Sequence, residues 1–259
     1  MVSVIVPVWN DAACLRHLLN LLKSEPGPIE IIVIDGQSTD GTAEVALEYA
    51  GVRLLSVPRG RGRQMNAGAR AARGETLLFL HCDTVLSLGA IAGLPDLLQS
   101  SGADFGAFRL RFDPPCLLPT LLALFTRFAL PWTCFGDQGI FVTRQFFLKT
   151  GGFPEIPVLE DVHWRRTAAM KGRMVRSPLS VTTSARRFQQ VGQVRQTLRN
   201  GWMLLRDCLG ADPARLAKIY DTGLDQGFPV AKDLYPRPRR SPDSTSDSLA
   251  AQSMPSDRF

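Results

Sequence analysis

Three groups of ionisable side chains stand out because of where they fall in the sequence. His81 and Asp83 come directly after the apolar run "TLLFL", and Asp35 closes the run "IEIIVID". Further along, Glu160 and Asp161 open a segment with helical spacing. Imidazoles and carboxylates bind metal ions and exchange protons, so each group could carry chemistry. The alternative is that they only cap helices or stabilise turns.

The first hundred residues alternate between strand-like and helix-like segments. Short apolar runs predict strands at 3–9, 29–35, 52–57 and 75–80. Helices are expected at 12–24, where Asn10 or Asp11 can act as the cap, and at 42–50; residues 59–74 should begin as a basic loop and become a helix of small residues. This alternation predicts a doubly wound parallel sheet, in which ligands bind beyond the carboxyl ends of the strands. Asn10, Asp35 and Asp83 all fall at such ends.

The second half is less regular. We expect a strand at 103–112, an apolar helical segment at 116–132, a turn and strand at 135–143, a helix from Glu160, a last strand near 172–184 and closing helices at 194–210 and 213–220. The chain thus reads as one domain over residues 1–235, with a first half at about 1–100 and a second at about 101–235. Residues 236–259 are nearly devoid of apolar side chains and are expected to be disordered.

The overall composition is that of a basic, globular protein. The chain has 259 residues, 45% of them hydrophobic, a formal charge of +6 and a pI of about 9.4. Arginine outnumbers lysine, which favours a phosphate-bearing partner, although an arginine-rich genome explains the same excess. The basic residues are dispersed and form no known reader motif, so we expect no nucleic-acid partner. Five scattered cysteines, no signal segment and no apolar run of membrane-spanning length point to the cytoplasm.

Several motifs in a fixed order resemble the family 2 glycosyltransferases of the GT-A fold. They are "SVIVPVWND", "EIIVIDGQSTDGT", "GRGRQMNAGARAARGETLLFLHCDT", "FGDQGIFV", "GGFPEIPVLEDV" and "TSARR". Each motif alone is weak, but their order and spacing cover nearly the whole chain to about Tyr220. Within the family the sequence is similar to a bacterial subgroup labelled arsenosugar-biosynthesis or radical-SAM-selenodomain-associated transferases. The resemblance implies an α/β fold with a mostly parallel, Rossmann-like central sheet flanked by helices.

The resemblance also implies a donor site for a nucleotide-sugar. The expected donor contacts are Pro7, Asn10, Asp35, Arg63, Asn66, His81 and Asp83. The family's Asp-x-Asp motif falls on residues 81–83, where His81 replaces the first aspartate, as it does in other members of the subgroup. Asp83 keeps the position of the metal ligand, and His81 either joins it or contacts the ribose. The implied cofactor is a divalent cation, Mg²⁺ or Mn²⁺, which neutralises the leaving diphosphate.

The acceptor side follows from the second half of the motif series. The resemblance places the catalytic base at Asp161, which would give inversion by one direct displacement. The expected acceptor or phosphate contacts are Asp137, Gln138, Glu160, Arg186 and Arg187, with Arg61 as a further phosphate contact. The acceptor is a hydroxyl-bearing small molecule or a lipid. The apolar segment 116–132 suggests peripheral contact with the inner membrane face, whereas a buried core helix is its plainer interpretation.

Two other functions fit parts of the pattern. A nucleotidyltransferase shares a similar sheet and metal chemistry, but it usually carries a glycine-rich signature with a lysine after the first strand, and "VPVWNDAAC" has none. A non-catalytic sugar-nucleotide-binding module is expected to lose Asp83 or Asp161, and both residues are present. The pattern therefore favours a metal-dependent, inverting glycosyltransferase.

Overall fold

The computed structural model describes residues 1–113, 115, 117–128 and 135–221, with the side chains of residues 118, 122, 125, 186, 187, 190 and 219–221 left undescribed. The disordered tail predicted at 236–259 lies outside these ranges, as do residues 116 and 129–132 of the apolar segment. No helix of the described ranges is long and apolar enough to cross a bilayer.

Within the described chain, one sheet contains all of the longer extended segments. Its strands are β1 (Val2–Val8), β2 (Ile29–Asp35), β3 (Val52–Ser56), β4 (Thr76–Phe79), β5 (Thr84–Leu86), β6 (Phe105–Asp113), β7 (Ile140–Thr143) and β8 (Met174–Ser184). Their order across the sheet is β3-β2-β1-β4-β7-β6-β8-β5. The first four strands are parallel, as predicted, whereas β7 runs antiparallel to both of its neighbours and β5 runs antiparallel to β8. The parallel half thus ends at β4, and the sheet is mixed beyond it.

Ten α-helices connect and cover the strands of the described chain. They are α1 (Ala12–Lys23), α2 (Thr42–Leu47), α3 (Arg61–Ala71), α4 (Leu94–Ser101), α5 (Leu117–Leu124), α6 (Arg144–Thr150), α7 (Glu160–Lys171), α8 (Arg186–Val191), α9 (Gln193–Cys208) and α10 (Pro213–Asp221). Short 3₁₀ turns at Phe125–Arg127 and Gly136–Gln138 complete the fold.

The parallel strands are apolar along their whole length because both faces of the sheet are covered. Val4 and Val6 of β1 face one core cluster with α1, while Ile5 between them faces a second cluster with α3 and α7. Gly68 lets α3 lie directly on the sheet, since a Cβ there would overlap Ile5. The small-residue composition of α3 is thereby explained by close helix–sheet packing.

Three local expectations are corrected by the structure. The basic segment is a loop only at Arg59 and Gly60, because the helix already begins at Arg61. Asp83 caps no helix, because the short strand β5 follows it and pairs with β8. Asp11 occupies the N-cap of α1 but makes no side-chain cap bond; instead Asp40 accepts a hydrogen bond of 3.2 Å from the Ala12 N–H.

Candidate functional site

The carboxyl ends of β1, β2 and β4 form one edge of the sheet, where parallel strands converge. Asp35 closes β2 and is buried, with its carboxylate accepting the Ser38 N–H at 3.0 Å. Gln64 of α3 donates to the carbonyls of Val8 and Ile34, both at 2.8 Å, and so ties the ends of β1 and β2 together. This role of Gln64 could not be predicted from the sequence, because Val8 and Ile34 are 56 and 30 positions away along the chain.

The loops that follow β1 and β2 brace each other. The Asn10 side chain accepts the Thr39 N–H at 2.8 Å, and the Ser38 hydroxyl accepts the Asn10 N–H at 2.9 Å. These bonds hold Asn10 in its left-handed conformation, with φ of 49°. Asn10 therefore shapes the edge of the predicted donor site, and its side-chain Oδ1 already accepts the hydrogen bond from Thr39. Pro7 lies buried inside β1, paired in register with Ile34.

An aromatic platform stands beside this edge. Trp9 follows β1 and is 42% exposed, and the Arg59 guanidinium lies 3.6 Å from its ring centroid. A half-exposed ring of this kind offers a stacking surface for a flat ligand. The position of Trp9 after the strand was visible in the sequence, but the partnership with Arg59 was not.

The residues 81–83 form the turn between β4 and β5, where the His81 carbonyl accepts the Thr84 N–H at 3.1 Å. The Cys82 thiol donates to Asp11 at 3.7 Å. Burial raises the pKa of Cys82 well above its usual value, and the carboxylates of Asp11 and Asp83 add to the effect. Cys82 is therefore a neutral thiol, which makes it a poor nucleophile.

Asp161 lies at the first turn of α7 and is buried. Its Oδ2 accepts the Gly136 N–H at 2.6 Å, and its Oδ1 accepts the Val162 N–H at 2.9 Å. The structure brings His81 to the same place: a Cβ on Gly136 would lie 3.1 Å from Asp161 Oδ2 and 3.3 Å from His81 Nε2. Two predicted site residues, eighty positions apart in the sequence, thus meet at one glycine.

Asp137 adds another carboxylate to this place. Its pKa is raised to about 7, first by burial and then by the carboxylates of Asp161 and Asp83, although Arg61 acts in the opposite direction. Its Oδ1 is shut off from solvent and has no hydrogen-bond partner among the described residues. Asp83 and Asp161 therefore each lie near enough to Asp137 to repel its carboxylate. The arrangement concentrates negative charge at the carboxyl edge of the sheet.

The charge in this cluster is partly balanced by Arg61. Its guanidinium pairs with Glu160 and lies within electrostatic reach of Asp161 and Asp137. Glu160 is buried, with 1% of its side chain exposed, and its Oε2 has no hydrogen-bond partner within the described part of the chain. Burial raises the pKa of Glu160, and the attraction of Arg61 offsets this only in part. Arg61, for which the resemblance implied a phosphate contact, thus pairs with a carboxylate in this structure.

Asn66 and Arg63, two further residues that were predicted to contact the donor, also bind other residues of the protein. The amide of Asn66 makes two bonds with the Phe153 backbone, accepting its N–H at 2.9 Å and donating to its carbonyl at 2.7 Å. Arg63 pairs with Glu155 at 3.0 Å. We name these contacts, together with the Arg61–Glu160 pair, the α3 latch. It consists of Arg61, Arg63 and Asn66 with their partners Glu160, Glu155 and Phe153. The latch joins the first half of the domain to the segment that leads into α7.

The remaining predicted acceptor contacts divide into two groups. Gln138 is fully buried and its Oε1 accepts a bond of 2.6 Å from Arg176, so it supports the fold behind the site. The side chains of Arg186 and Arg187 lie outside the described residues.

The electrostatics indicate a site suited to a cation. Among the described residues no three histidine, cysteine, aspartate or glutamate side chains are arranged to hold a metal ion by themselves. A magnesium-like ion, however, is usually held by one or two carboxylates together with substrate phosphates. The unpartnered Oδ1 of Asp137 and the crowding of Asp83 with Asp137 and Asp161 fit a site that receives a metal along with its ligand.

Comparison with known proteins agrees, for the first half of the chain, with the family resemblance of the sequence motifs. Residues 3–119 match the family model "Glycosyl transferase family 2". Over 120 residues the chain is 34% identical to the uncharacterized protein MT1568 of Mycobacterium tuberculosis, a match that covers 44% of this chain and 38% of that protein. Over 94 residues it is 32% identical to the poly(ribitol-phosphate) β-N-acetylglucosaminyltransferase TarS of Staphylococcus aureus, covering 33% of this chain and 16% of TarS.

Solved structures extend the likeness to the fold of most of the chain. A crystal structure of S. aureus TarS residues 1–349 superposes with a TM-score of 0.59 at 18% identity, covering 71% of this chain and 60% of that one. The mannosyltransferase PcManGT of Pyrobaculum calidifontis, solved with GDP-Man and Mn²⁺, gives a TM-score of 0.59 at 24% identity, covering 71% and 56% of the two chains. The described chain therefore has the GT-A fold, and its residues 3–119 match the model of Glycosyl transferase family 2, whereas the curated relatives align over less than half of this chain.

Proposed function

We propose that this protein transfers a sugar from a nucleotide-sugar donor to a hydroxyl group of its acceptor. The observation that carries the proposal is the gathering of Asp83, Asp137 and Asp161 at the carboxyl edge of the sheet. Asp83 lies within the family 2 segment, whereas Asp161 comes from the second half. A site of this kind can hold a charged donor on one side and remove a proton on the other.

The donor is proposed to bind along the ends of β1, β2 and β4. Asp35 is positioned there by the Ser38 N–H, and Trp9 offers an aromatic surface for the base. TarS has been crystallised with UDP and with UDP-GlcNAc, and PcManGT with GDP-Man, which supports a nucleotide-sugar as the donor class. Asn66 and Arg63 would have to leave the α3 latch to reach such a ligand, so we place the donor against Asp35, His81 and Asp83.

A divalent cation is proposed to bind with the donor diphosphate at Asp83, with His81 as a second ligand. When bound, the metal neutralises charge that develops on the leaving diphosphate. The chain's own contribution is to hold Asp83 at the turn between β4 and β5. The Mn²⁺ in the PcManGT structure supports this cofactor class.

Asp161 is proposed as the general base that accepts the proton of the acceptor hydroxyl. The N–H groups of Gly136 and Val162 fix its carboxylate, and each oxygen keeps a further lone pair for a substrate proton. A base that deprotonates the acceptor directly gives one displacement and inversion at the anomeric carbon. Asp137, whose pKa is raised to about 7, is the alternative base at the same place.

The acceptor is proposed to be a small molecule or a lipid that bears a hydroxyl group. The motif order supports membership of the arsenosugar-biosynthesis subgroup, which would favour a small metabolite. A lipid acceptor would place the enzyme at a membrane surface.

The test of the proposal is the substitution Asp161→Asn, measured with a panel of nucleotide-sugars and acceptors. The change keeps the shape and the bond from Gly136 but removes the basicity. Donor affinity should stay close to that of the parent, while turnover falls by roughly 10²–10⁴-fold. A variant that turns over within a few-fold of the parent would show that the base lies elsewhere, with Asp137 as the next residue to substitute.

The metal is tested separately by calorimetry of donor binding. The substitution Asp83→Ala should weaken the affinity for a UDP- or GDP-sugar with Mn²⁺ at least about tenfold, which equals about 1.4 kcal/mol. Removal of the metal by a chelator should weaken the parent's affinity for the nucleotide-sugar by the same factor. The control is Asp96→Ala on α4, a carboxylate outside the site. Equal affinities for Asp83→Ala and the parent would contradict the metal assignment.

A further inference from the structure

Helix α9 presents a continuous apolar stripe to the outside of the molecule. Its members are Val194, Leu198, Trp202, Leu205 and, just after the helix, Leu209, and they are between 40% and 74% exposed. At about 100° per residue these five positions fall within an arc of roughly 80°. An apolar stripe on a helix is normally turned toward the core, so this orientation calls for an explanation.

Helix α5 packs against α9 and adds a second exposed stripe. It comprises Leu117, Leu121, Leu124 and Phe128. The two stripes hold nine of the sixteen large hydrophobic side chains that are exposed in the described part of the chain. We name the two stripes together the α5–α9 face. Large contiguous apolar faces on proteins mark sites that bind a partner or a membrane.

The opposite side of α9 is firmly attached to the domain. Asp207 is buried there, where it accepts a bond of 2.6 Å from Arg166 and lies 2.7 Å from His163, both on α7. Gln196 and Met203 of α9 are buried on the same side. Because these contacts fix the rotation of α9, the apolar stripe cannot turn inward without breaking a buried ion pair.

The exposed charges on α9 are positive. Arg195 and Arg206 flank the stripe on the surface, and Asp207, the only acidic residue of the helix, is buried. The Arg206 guanidinium lies 5.6 Å from the ring centroid of Trp202. Basic side chains beside tryptophan and leucine are typical of helices that lie in the interface of an anionic membrane.

A cleft of about 330 Å³ between β6 and α5 continues this face. Its walls contain Arg109, Arg111 and Arg127 and no acidic residue, and Leu124 belongs both to the cleft and to the stripe. The Nε of Arg109 is buried and has no hydrogen-bond partner among the described residues. A phosphate group would satisfy that donor and would be held by more than one guanidinium.

We propose that the α5–α9 face docks on an anionic phospholipid bilayer. The apolar stripes enter the boundary between headgroups and acyl chains, and the arginine-lined cleft takes a lipid phosphate. A second copy of the chain is a poorer occupant, because a symmetric contact would bring the arginines of both copies together. The proposal concerns binding alone, so it stands or falls independently of the sugar-transfer reaction.

The first experiment is co-sedimentation of the full chain with vesicles at physiological salt. Vesicles that contain phosphatidylglycerol should retain the protein, vesicles of phosphatidylcholine alone should retain much less, and higher salt should weaken the retention. The substitution Leu198→Glu should lower the partition coefficient at least tenfold. Leu47→Glu is the matched control, since Leu47 is 72% exposed on α2 away from the face, and it should bind like the parent.

The second experiment tests the cleft with the same vesicles. Arg111→Ala combined with Arg127→Ala should weaken binding severalfold, whereas Arg70→Ala on the exposed side of α3 should have a smaller effect. Thermal melts confirm that each variant is folded. The proposal is overturned if the full chain stays in solution with anionic vesicles, or if Leu198→Glu and Leu47→Glu reduce binding equally. It is also overturned if the parent is a dimer that Leu198→Glu separates.

Discussion

The backbone N–H of Gly136 donates a hydrogen bond of 2.6 Å to Oδ2 of Asp161. This bond joins the 3₁₀ turn at Gly136–Gln138 to the first turn of α7 and sets the direction of the carboxylate. The same glycine lies against Nε2 of His81, so it separates the proposed base from the turn that carries Asp83.

We expect Gly136→Ala to lower turnover without unfolding the protein. The added methyl group would lie 3.1 Å from Asp161 Oδ2 and 3.3 Å from His81 Nε2, so both side chains must shift by a few tenths of an ångström. Small displacements of a base cost catalysis steeply, and a loss of about tenfold or more in kcat is expected. The backbone of Gly136 has no positive φ, so alanine is otherwise tolerated.

The control for that measurement is Gly93→Ala, where a Cβ would meet nothing within 4 Å. Both variants should melt within a few degrees of the parent, and only Gly136→Ala should lose activity. Unchanged kcat in Gly136→Ala would mean that the position of Asp161 does not limit the reaction.

The α3 latch makes a different prediction for Asn66. Asn66→Ala would leave the buried N–H and carbonyl of Phe153 without their side-chain partner. Each unsatisfied buried group costs about 1–3 kcal/mol, so the free energy of unfolding should fall by several kcal/mol in total. Chemical denaturation measures this directly.

A donor-contact role for Asn66 would give the opposite pattern. The variant would then keep its stability and lose affinity for the nucleotide-sugar. Arg63→Ala provides a comparison within the latch, because the Arg63–Glu155 pair is half-exposed on both sides and should contribute at most about 1 kcal/mol.

The site residues at strand ends were predictable from sequence, whereas the latch was not. Asp35 and Asp83 follow apolar runs, and the ends of parallel strands are brought together by the fold itself. Asn66 has its partner 87 residues away, in a segment without a strand or helix pattern. Local periodicity contains no information on such a pairing, and the donor contact of Asn66 came from the resemblance to the family alone.

In the second half of the chain, too, local sequence patterns did not predict contacts between distant segments. The strand β5 has only three residues and depends on pairing with β8, so its own sequence did not reveal it. The sequence predicted a closing helix at 194–210 but not which of its sides is buried. Only the tertiary structure shows that Asp207, with its contacts to Arg166 and His163, lies on the side opposite the apolar stripe.

Asp137 should make stability depend on pH. Its pKa is raised from 3.8 to about 7 in the folded protein, so between about pH 4 and pH 7 the native state keeps a proton that the unfolded chain has lost. Stability should therefore fall as the pH rises through this window. Asp137→Asn removes the effect and should be more stable than the parent at pH 8, by an amount on the order of 1.4 kcal/mol per pKa unit.

The comparison requires melts of both proteins at pH 4 and pH 8 with chelator present, since a bound cation would favour the ionised form. The difference between the two proteins should be small at pH 4 and large at pH 8. Glu75→Gln, an exposed carboxylate outside the site, should show no such trend. A constant difference at both pH values would contradict the raised pKa of Asp137.

The ion pair between Arg61 and Glu160 should respond unequally to substitution of its two members. Glu160 is 1% exposed and Arg61 is 45% exposed. Arg61→Ala leaves a buried carboxylate without its cation, which costs on the order of 3 kcal/mol. Glu160→Gln removes the buried charge and leaves an arginine that water can solvate, so its free energy of unfolding should change by less than about 1 kcal/mol.

The activity measurement concerns Glu160→Gln, the variant that should change stability less. Because Oε2 of Glu160 has no partner among the described residues, we propose that it accepts a hydrogen bond from a hydroxyl of the acceptor. Glu160→Gln should thus raise KM for the acceptor about tenfold or more while donor affinity, measured by calorimetry, stays unchanged. An unchanged KM for the acceptor, in a variant as stable as the parent, would assign Glu160 to holding α3 and α7 together and to nothing beyond that.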